Sequence, residues 1–181
     1  MDRRQQKTRD SIFNAFNKLL EKKRYNNITV QDIIDEANIG RSTFYAHFET
    51  KDKLLEAFCT NIFNHVFSND LISEKTHDFS TSENNLESQI THIIYHLKDN
   101  KREIIGILSS DSDELFMTYF KRYIKDLFTV YLNEFNFTAP TEFILNHLVG
   151  SFVETVRWWI KLDMKYSPEE LAKYYMAVIY N

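Results

Sequence analysis

Arg41, Ser42, Thr43, Tyr45 and His47 fall within one short run, RSTFYAH, with Thr29 and Lys51 on either side of it. All of these carry hydrogen-bond donors or charge, and none forms a nucleophile–base pair. An Arg fork matches the O6 and N7 acceptors of guanine, a pairing worth ~1–3 kcal/mol of discrimination. The hydroxyls of Ser42 and Thr43 can bond to bases or phosphates, and the Thr43 methyl can meet a thymine. The N-termini of helices starting at Thr29 and at Thr50-Lys51 would offer free backbone N–H groups to phosphate, with the Lys51 charge beside them. The chemistry implied is the reading of a DNA groove, not bond making.

Such side chains need a rigid support, and the neighbouring residues supply one. Thr29 and Asp32 form a Thr-x-x-Asp capping pattern, so a helix starts there. Val30, Ile33, Ile34 and Ala37 give that helix one apolar face. Asn38-Ile39-Gly40 makes the turn, with Gly40 expected to take a positive φ and Ile39 to plug the gap. A short helix then runs from Arg41 to Phe48. Phe44 and Phe48, four apart, point inward, while Arg41, Ser42, Thr43, Ala46 and His47 lie on the other faces and Tyr45 lies beside the phenylalanines. The pair reads as a helix-turn-helix. Plain alternatives exist: Arg41 as a solvated charge, Tyr45 as core with a phenol tip, His47 as an exposed helix residue. Upstream, residues 1–7 form a basic arm in which Arg3, Arg4 and Lys7 could meet phosphates or a minor groove. Ile12, Phe13, Ala15, Phe16, Leu19 and Leu20 then predict an amphipathic helix over 8–23. Downstream, Thr50 caps a helix expected over 51–69.

Composition constrains the rest. Three Gly and two Pro in 181 residues argue against a turn-rich β protein. One Cys excludes an intramolecular disulfide. No signal-peptide pattern and no long apolar run is present, so a cytoplasmic protein without membrane contact is expected. The net charge of −4 hides an asymmetry: residues 1–60 carry 11 basic and 9 acidic side chains, residues 61–181 carry 11 and 17. A basic head on an acidic body suits a DNA reader attached to a domain with another task. No phosphate loop, HExxH or nucleophile motif occurs, so no enzyme and no cofactor is expected. His92 and His96 are spaced for a metal but lack further ligands, so no metal is expected, and Cys59 reads as a small buried hydrophobe.

Beyond a polar connection at 68–85, helical patterns continue: 85–99, 101–108, 114–134, a helix from Pro140-Thr141 to about 165, and a last one announced by Ser-Pro-Glu-Glu at 167–170. The helix after Pro140 is apolar on more than one face. With the last helix it predicts a four-helix interface between two copies, through Phe152, Val156, Tyr174, Tyr175 and Val178. Tyr95, Phe116, Tyr119, Phe120, Tyr123, Trp158 and Trp159 are candidate lining for an effector pocket, against the plain reading of aromatic core. Gly106 and Gly150 are expected to mark close helix contacts.

ITVQDIIDEANIGRSTFYAHFETKDKLLEAF, with IFNAFNKLLEKKRYNN before it, resembles the N-terminal signature of TetR-type transcriptional regulators. The match covers roughly residues 10–60. Gly40 stands where many members have Ser, and Ser42 where many have Gly. The resemblance implies an all-α protein of about nine helices: a three-helix helix-turn-helix DNA-binding domain over 1–55, joined through helix 51–69 to a helical bundle over 56–181 for ligand binding and dimerisation. It also makes Tyr45 and His47 phosphate-binding candidates. The expected partners are a pseudo-palindromic double-stranded operator, a second copy of the chain, and a small apolar or aromatic effector. The expected activity is repression relieved by that effector; the alternative is control by a protein co-regulator docked on the C-terminal domain.

Overall fold

A computed structural model of the chain describes residues 3–63, 78–79, 83, 85–108, 113–135 and 138–180. The described residues form helices and no strand: α1 (Arg3–Leu20), α2 (Val30–Ala37), α3 (Arg41–His47), α4 (Lys51–Phe63), α5 (Leu86–Asp99), α6 (Lys101–Leu108), α7 (Asp113–Tyr131), α8 (Thr141–Lys161) and α9 (Pro168–Ile179). The all-α expectation holds. The expected continuation of α4 beyond Phe63, most of the polar connection and the turn at 109–112 lie outside the described residues.

The chain divides into two compact units. The first holds Met1–Thr60 together with Lys101–Phe116. Its core is Ile12, Phe16, Leu20, Ile28, Ile33, Phe44, Leu54 and Leu55, all with at most a trace of exposure. Phe16 lies edge-on to both Tyr25 and Phe58, at 6.1 and 5.9 Å between ring centroids, which ties α1 to the turn before α2 and to α4. α1 begins at Arg3, so Arg3, Arg4 and Lys7 stand on an exposed helical turn instead of a loose arm. It stops at Leu20, short of the expected 23. The division implied by the resemblance places everything after 55 in the second domain, yet α6 packs on α1. Gly106 allows this: a Cβ there would stand 2.3 Å from the Leu20 carbonyl oxygen, so no other residue fits unshifted.

The second unit holds Asn61–Asn100 and Met117–Asn181. In it α9 packs on α5 and α8. Phe152 of α8 is the hub, with Phe120 at 6.1 Å, Phe128 at 6.3 Å and Tyr175 at 5.0 Å. α9 starts as its sequence demands: Ser167 and Glu170 close a capping box, with Pro168 in the first turn. α8 ends where Asp163 and Met164 both take φ of 56°. Trp159, without exposed surface, donates its indole N–H to the Tyr166 carbonyl at 2.9 Å across that bend.

Burial in the single chain corrects several expectations. Phe152, Val156 and Tyr175 are expected at a dimer interface, but they are buried within their own chain. Phe116, Phe120 and Trp159 are expected as pocket lining; a side chain facing a cavity large enough for water shows accessible surface, and these show none, so they are core. Among the others, Tyr95 bonds to Glu169 of α9, and Arg122 lies 5.6 and 5.7 Å over the rings of Tyr119 and Tyr123. Trp158 is 46% exposed on α8, stacked on Tyr166. A Cβ at Gly150 would meet nothing within 4 Å, so this glycine marks no close contact within the chain.

Candidate DNA-binding surface

Thr29 starts α2 as a complete capping box. Its hydroxyl accepts from the Asp32 N–H at 3.1 Å, and its own N–H donates to Asp32 Oδ2 at 2.8 Å. That backbone bond, then the Lys23 ammonium at 2.9 Å and the Thr29 hydroxyl, hold the Asp32 carboxyl down at about 2. Thr29 therefore spends its side chain on the helix; what it can offer a phosphate is the helix end.

The turn between α2 and α3 differs from the expectation in one residue. Gly40 is in an ordinary extended conformation at φ −79°, as the N-cap of α3. Asn38 takes the left-handed conformation, φ 52° and ψ 52°. Asn tolerates that region better than other non-glycine residues, because its short polar side chain can bond locally.

α3 then divides by face. Phe44 and Phe48 are buried, with Phe13 of α1 edge-on to Phe48 at 5.7 Å. Arg9 covers the outer side of both Phe13 and Phe48 at 5.2 and 5.0 Å. Arg41, Ser42, Tyr45 and Ala46 are exposed, and Thr43 and His47 are half-buried. Tyr45 is 47% exposed, its ring edge-on to Phe44 at 5.5 Å, so its base is packed and its phenol reaches out.

One residue joins the surface without a clear signal in sequence. Gln31, on the first turn of α2, accepts a hydrogen bond from Arg41 Nη2 at 3.0 Å and donates to Asp35 Oδ1 at 2.8 Å. The Asp35 bond fixes which end of the amide faces Arg41. In sequence Gln31 is only a polar side chain on the exposed face of α2, ten residues before Arg41, and that spacing means nothing until the turn is folded.

Lys51 has a second task. Its ammonium donates to the Tyr25 and Ile28 carbonyls at 2.9 and 2.7 Å and lies 4.1 Å from the Tyr25 ring centroid. Burial pulls its pKa below the ordinary lysine value. The Tyr25 hydroxyl meanwhile donates to Asp52 Oδ1 at 2.5 Å. Lys51 and Asp52 thus clamp the start of α4 to the turn before α2, which leaves one ammonium N–H for an outside acceptor. Thr50 caps α4, accepting from the Lys53 N–H at 3.1 Å.

Residues 12–58 match the sequence profile described as bacterial regulatory proteins, tetR family, and residues 84–181 match one described as transcriptional regulator C-terminal region. The chain belongs to the TetR family. The solved structure of a TetR transcriptional regulator from Streptococcus agalactiae is 35% identical, with 99% of this chain and 97% of that chain aligned at a TM-score of 0.77. FadR of Bacillus subtilis, a transcriptional regulator solved in complex with stearoyl-CoA, shares the fold at 16% identity, with coverage of 94% and 97% and a TM-score of 0.66. YxbF, an HTH-type transcriptional regulator of Bacillus subtilis, is 36% identical over 88 residues, 46% of this chain. The match spans only 22% of that relative's length. In this TetR-family chain α2 and α3 are the helix-turn-helix. No described helix is long and apolar enough to cross a membrane.

Proposed function

We propose that two copies of this TetR-family chain bind a pseudo-palindromic operator, each with α3 in the major groove, and repress transcription until a small-molecule effector releases them. The observation that carries the reading is the division of α3: Phe44 and Phe48 hold it to the core while Arg41, Ser42 and Tyr45 stand exposed on one rigid support. Arg41 reads guanine, with Gln31 holding its guanidinium ready. Ser42 and Thr43 bond to bases or phosphates, and Tyr45, His47 and the ends of α2 and α4 grip phosphates. The protein acts by binding and performs no catalysis. Effector release is supported by the shared fold of FadR, which carries stearoyl-CoA, and acts by preferring one conformation over the other.

Mobility shift with DNA from the protein's own promoter region tests the reading. A specific complex at moderate salt is expected, weakened about 5- to 150-fold by Arg41→Ala, the equivalent of ~1–3 kcal/mol. Tyr45→Phe should weaken it less and equally on all sequences, as loss of a phosphate bond does. No complex distinguishable from that with random DNA would overturn the proposal. Reporter expression with and without the gene then separates repression from activation.

A further inference from the structure

Arg9 of α1 is a charge held by rings. Its guanidinium lies 5.2 Å from the ring centroid of Phe13 and 5.0 Å from that of Phe48, and the two rings stand edge-on to each other at 86°. The group therefore sits in a corner between two aromatic side chains, on a half-buried residue. Aromatic contact orients a guanidinium and leaves N–H donors free for another partner. No carboxylate answers the charge among the described residues. Asp10, the next residue, accepts from Gln6 at 2.8 Å, and the exposed Glu49 makes no ion pair with Arg9.

Several other cations of this unit are already engaged. Lys18 pairs with Glu36 at 3.3 Å, Lys23 with Asp32 at 2.9 Å and Lys53 with Glu56 at 2.9 Å, while Lys51 donates to carbonyls. Arg9 shares instead the state of Arg41, an oriented guanidinium whose neighbours bring no charge. Its place is also informative. Phe48 is the C-cap of α3, and the ring of His47, the last residue of that helix, lies 6.4 Å from the Phe48 ring. Arg9 and His47 thus adjoin one ring, at the end of α3 opposite to Arg41. The N-terminal residues of a recognition helix reach base edges, which leaves its far end to the backbone. A half-buried guanidinium with no acceptor in its own chain is bonded by water, and a phosphate replaces that water with two parallel N–H···O bonds.

We propose that Arg9 binds a backbone phosphate at the C-terminal end of α3, so that α1 is a third helix of the DNA-binding surface. The inference rests on the operator-binding reading and adds a residue to it. The contact carries no sequence information; it fixes how the far end of α3 sits against the groove wall. An arginine kept only to cover Phe13 and Phe48 would need its methylenes and not its charge.

Fluorescence anisotropy of the full chain over a salt series tests this, with the protein's own promoter DNA and with a random duplex. Arg9→Met keeps an unbranched apolar stem over the rings and removes the charge; Arg9→Gln removes it with a polar stem. Each should lower the slope of log affinity against log salt by ~0.9 per copy bound, about a fivefold loss per copy at ~0.15 M salt. The loss should be equal on both duplexes. Arg9→Lys should keep the slope and lose part of the affinity, since it keeps the charge without the fork. Lys173→Gln, an exposed charge on α9, should bind as the parent does. A lowered thermal transition with the parent's slope would make Arg9 a packing residue and overturn the proposal. An equal loss of slope in Arg9→Lys or in Lys173→Gln would overturn it too. A parent that binds both duplexes and neutral Arg9 variants that match its slope overturn this inference alone, whereas a parent that binds neither duplex overturns the operator-binding reading with it.

Discussion

Arg41 is exposed, and an exposed arginine samples many rotamers unless something holds it. Gln31 does so, and Asp35 in turn holds Gln31, at 3.0 and 2.8 Å. If that chain positions the guanidinium for guanine, its worth depends on Arg41 being present. Gln31→Ala should weaken the specific complex several-fold in the parent and have no effect in an Arg41→Ala background. Equal losses in both backgrounds would mean that Gln31 touches DNA directly. A second residue-scale outcome concerns Asp32, whose carboxyl is held at about 2 against 3.8 when free. A carboxyl with a lowered folded pKa adds stability that is fully present above 3.8 and drains as pH falls toward 2. Water reaches the group, so the contribution is that of a helix cap, ~1 kcal/mol. Asp32→Ala should therefore lower the urea midpoint near neutral pH, and the gap from the parent should close as the pH is brought down to about 2. A gap that persists in acid would assign the effect to something other than this charge.

At the scale of elements, the glycines separate two kinds of position. A Cβ at Gly106 would meet the Leu20 carbonyl oxygen at 2.3 Å, backbone that cannot swing aside. Gly106→Ala should then cost ~1–3 kcal/mol, as overpacking does, because α6 must lift from α1. At Gly150 nothing stands within 4 Å, so Gly150→Ala should add up to ~1 kcal/mol of helix stability. Urea denaturation of both variants should give shifts of opposite sign. In sequence both glycines sit inside helical patterns and look alike, since the difference lies in which helix passes by. The same limit governs the aromatics. Phe116 and Phe120 recur at helical spacing whether they fill a core or line a cavity, and only packing shows that they fill it. The helix-turn-helix is legible because its signals are local: the Thr29–Asp32 cap, the Asn38-Ile39-Gly40 turn, the Phe44–Phe48 pair. Even there the left-handed residue is Asn38, since Gly40 is needed only to open α3 in an extended conformation. The Asp35–Gln31–Arg41 chain is invisible in sequence for the converse reason, that it is made of ordinary polar residues brought together by the turn.

At the scale of the whole molecule, one short α3 reads too few base pairs to pick out a site in a genome, and a second copy would double the reading. The second unit keeps a surface suited to that copy. Trp158 of α8 is 46% exposed, and Tyr174 and Val178 of α9 are 51% and 76% exposed. They border a shallow groove of about 470 Å³ with Ser151, Thr155 and Leu171. Of the five residues expected at the interface, this chain buries Phe152, Val156 and Tyr175 by itself, which leaves Tyr174 and Val178 available to a second copy, with Trp158 beside them. Large aromatics at the centre of a patch dominate association when a second surface removes them from water. Trp158→Ser combined with Val178→Asp removes the anchor and places a charge where two copies would meet. Since both side chains are exposed in the single chain, the helical content and the thermal transition of an isolated subunit should survive. Sedimentation should show the parent as a dimer at micromolar concentration and the double variant as a monomer. The variant should also bind a single half-site as well as the parent does, yet lose at least about tenfold on the full operator, because the second head no longer arrives with the first. A parent that sediments as a monomer would sink this interface outright, and a double variant that remains a dimer would place it on another face.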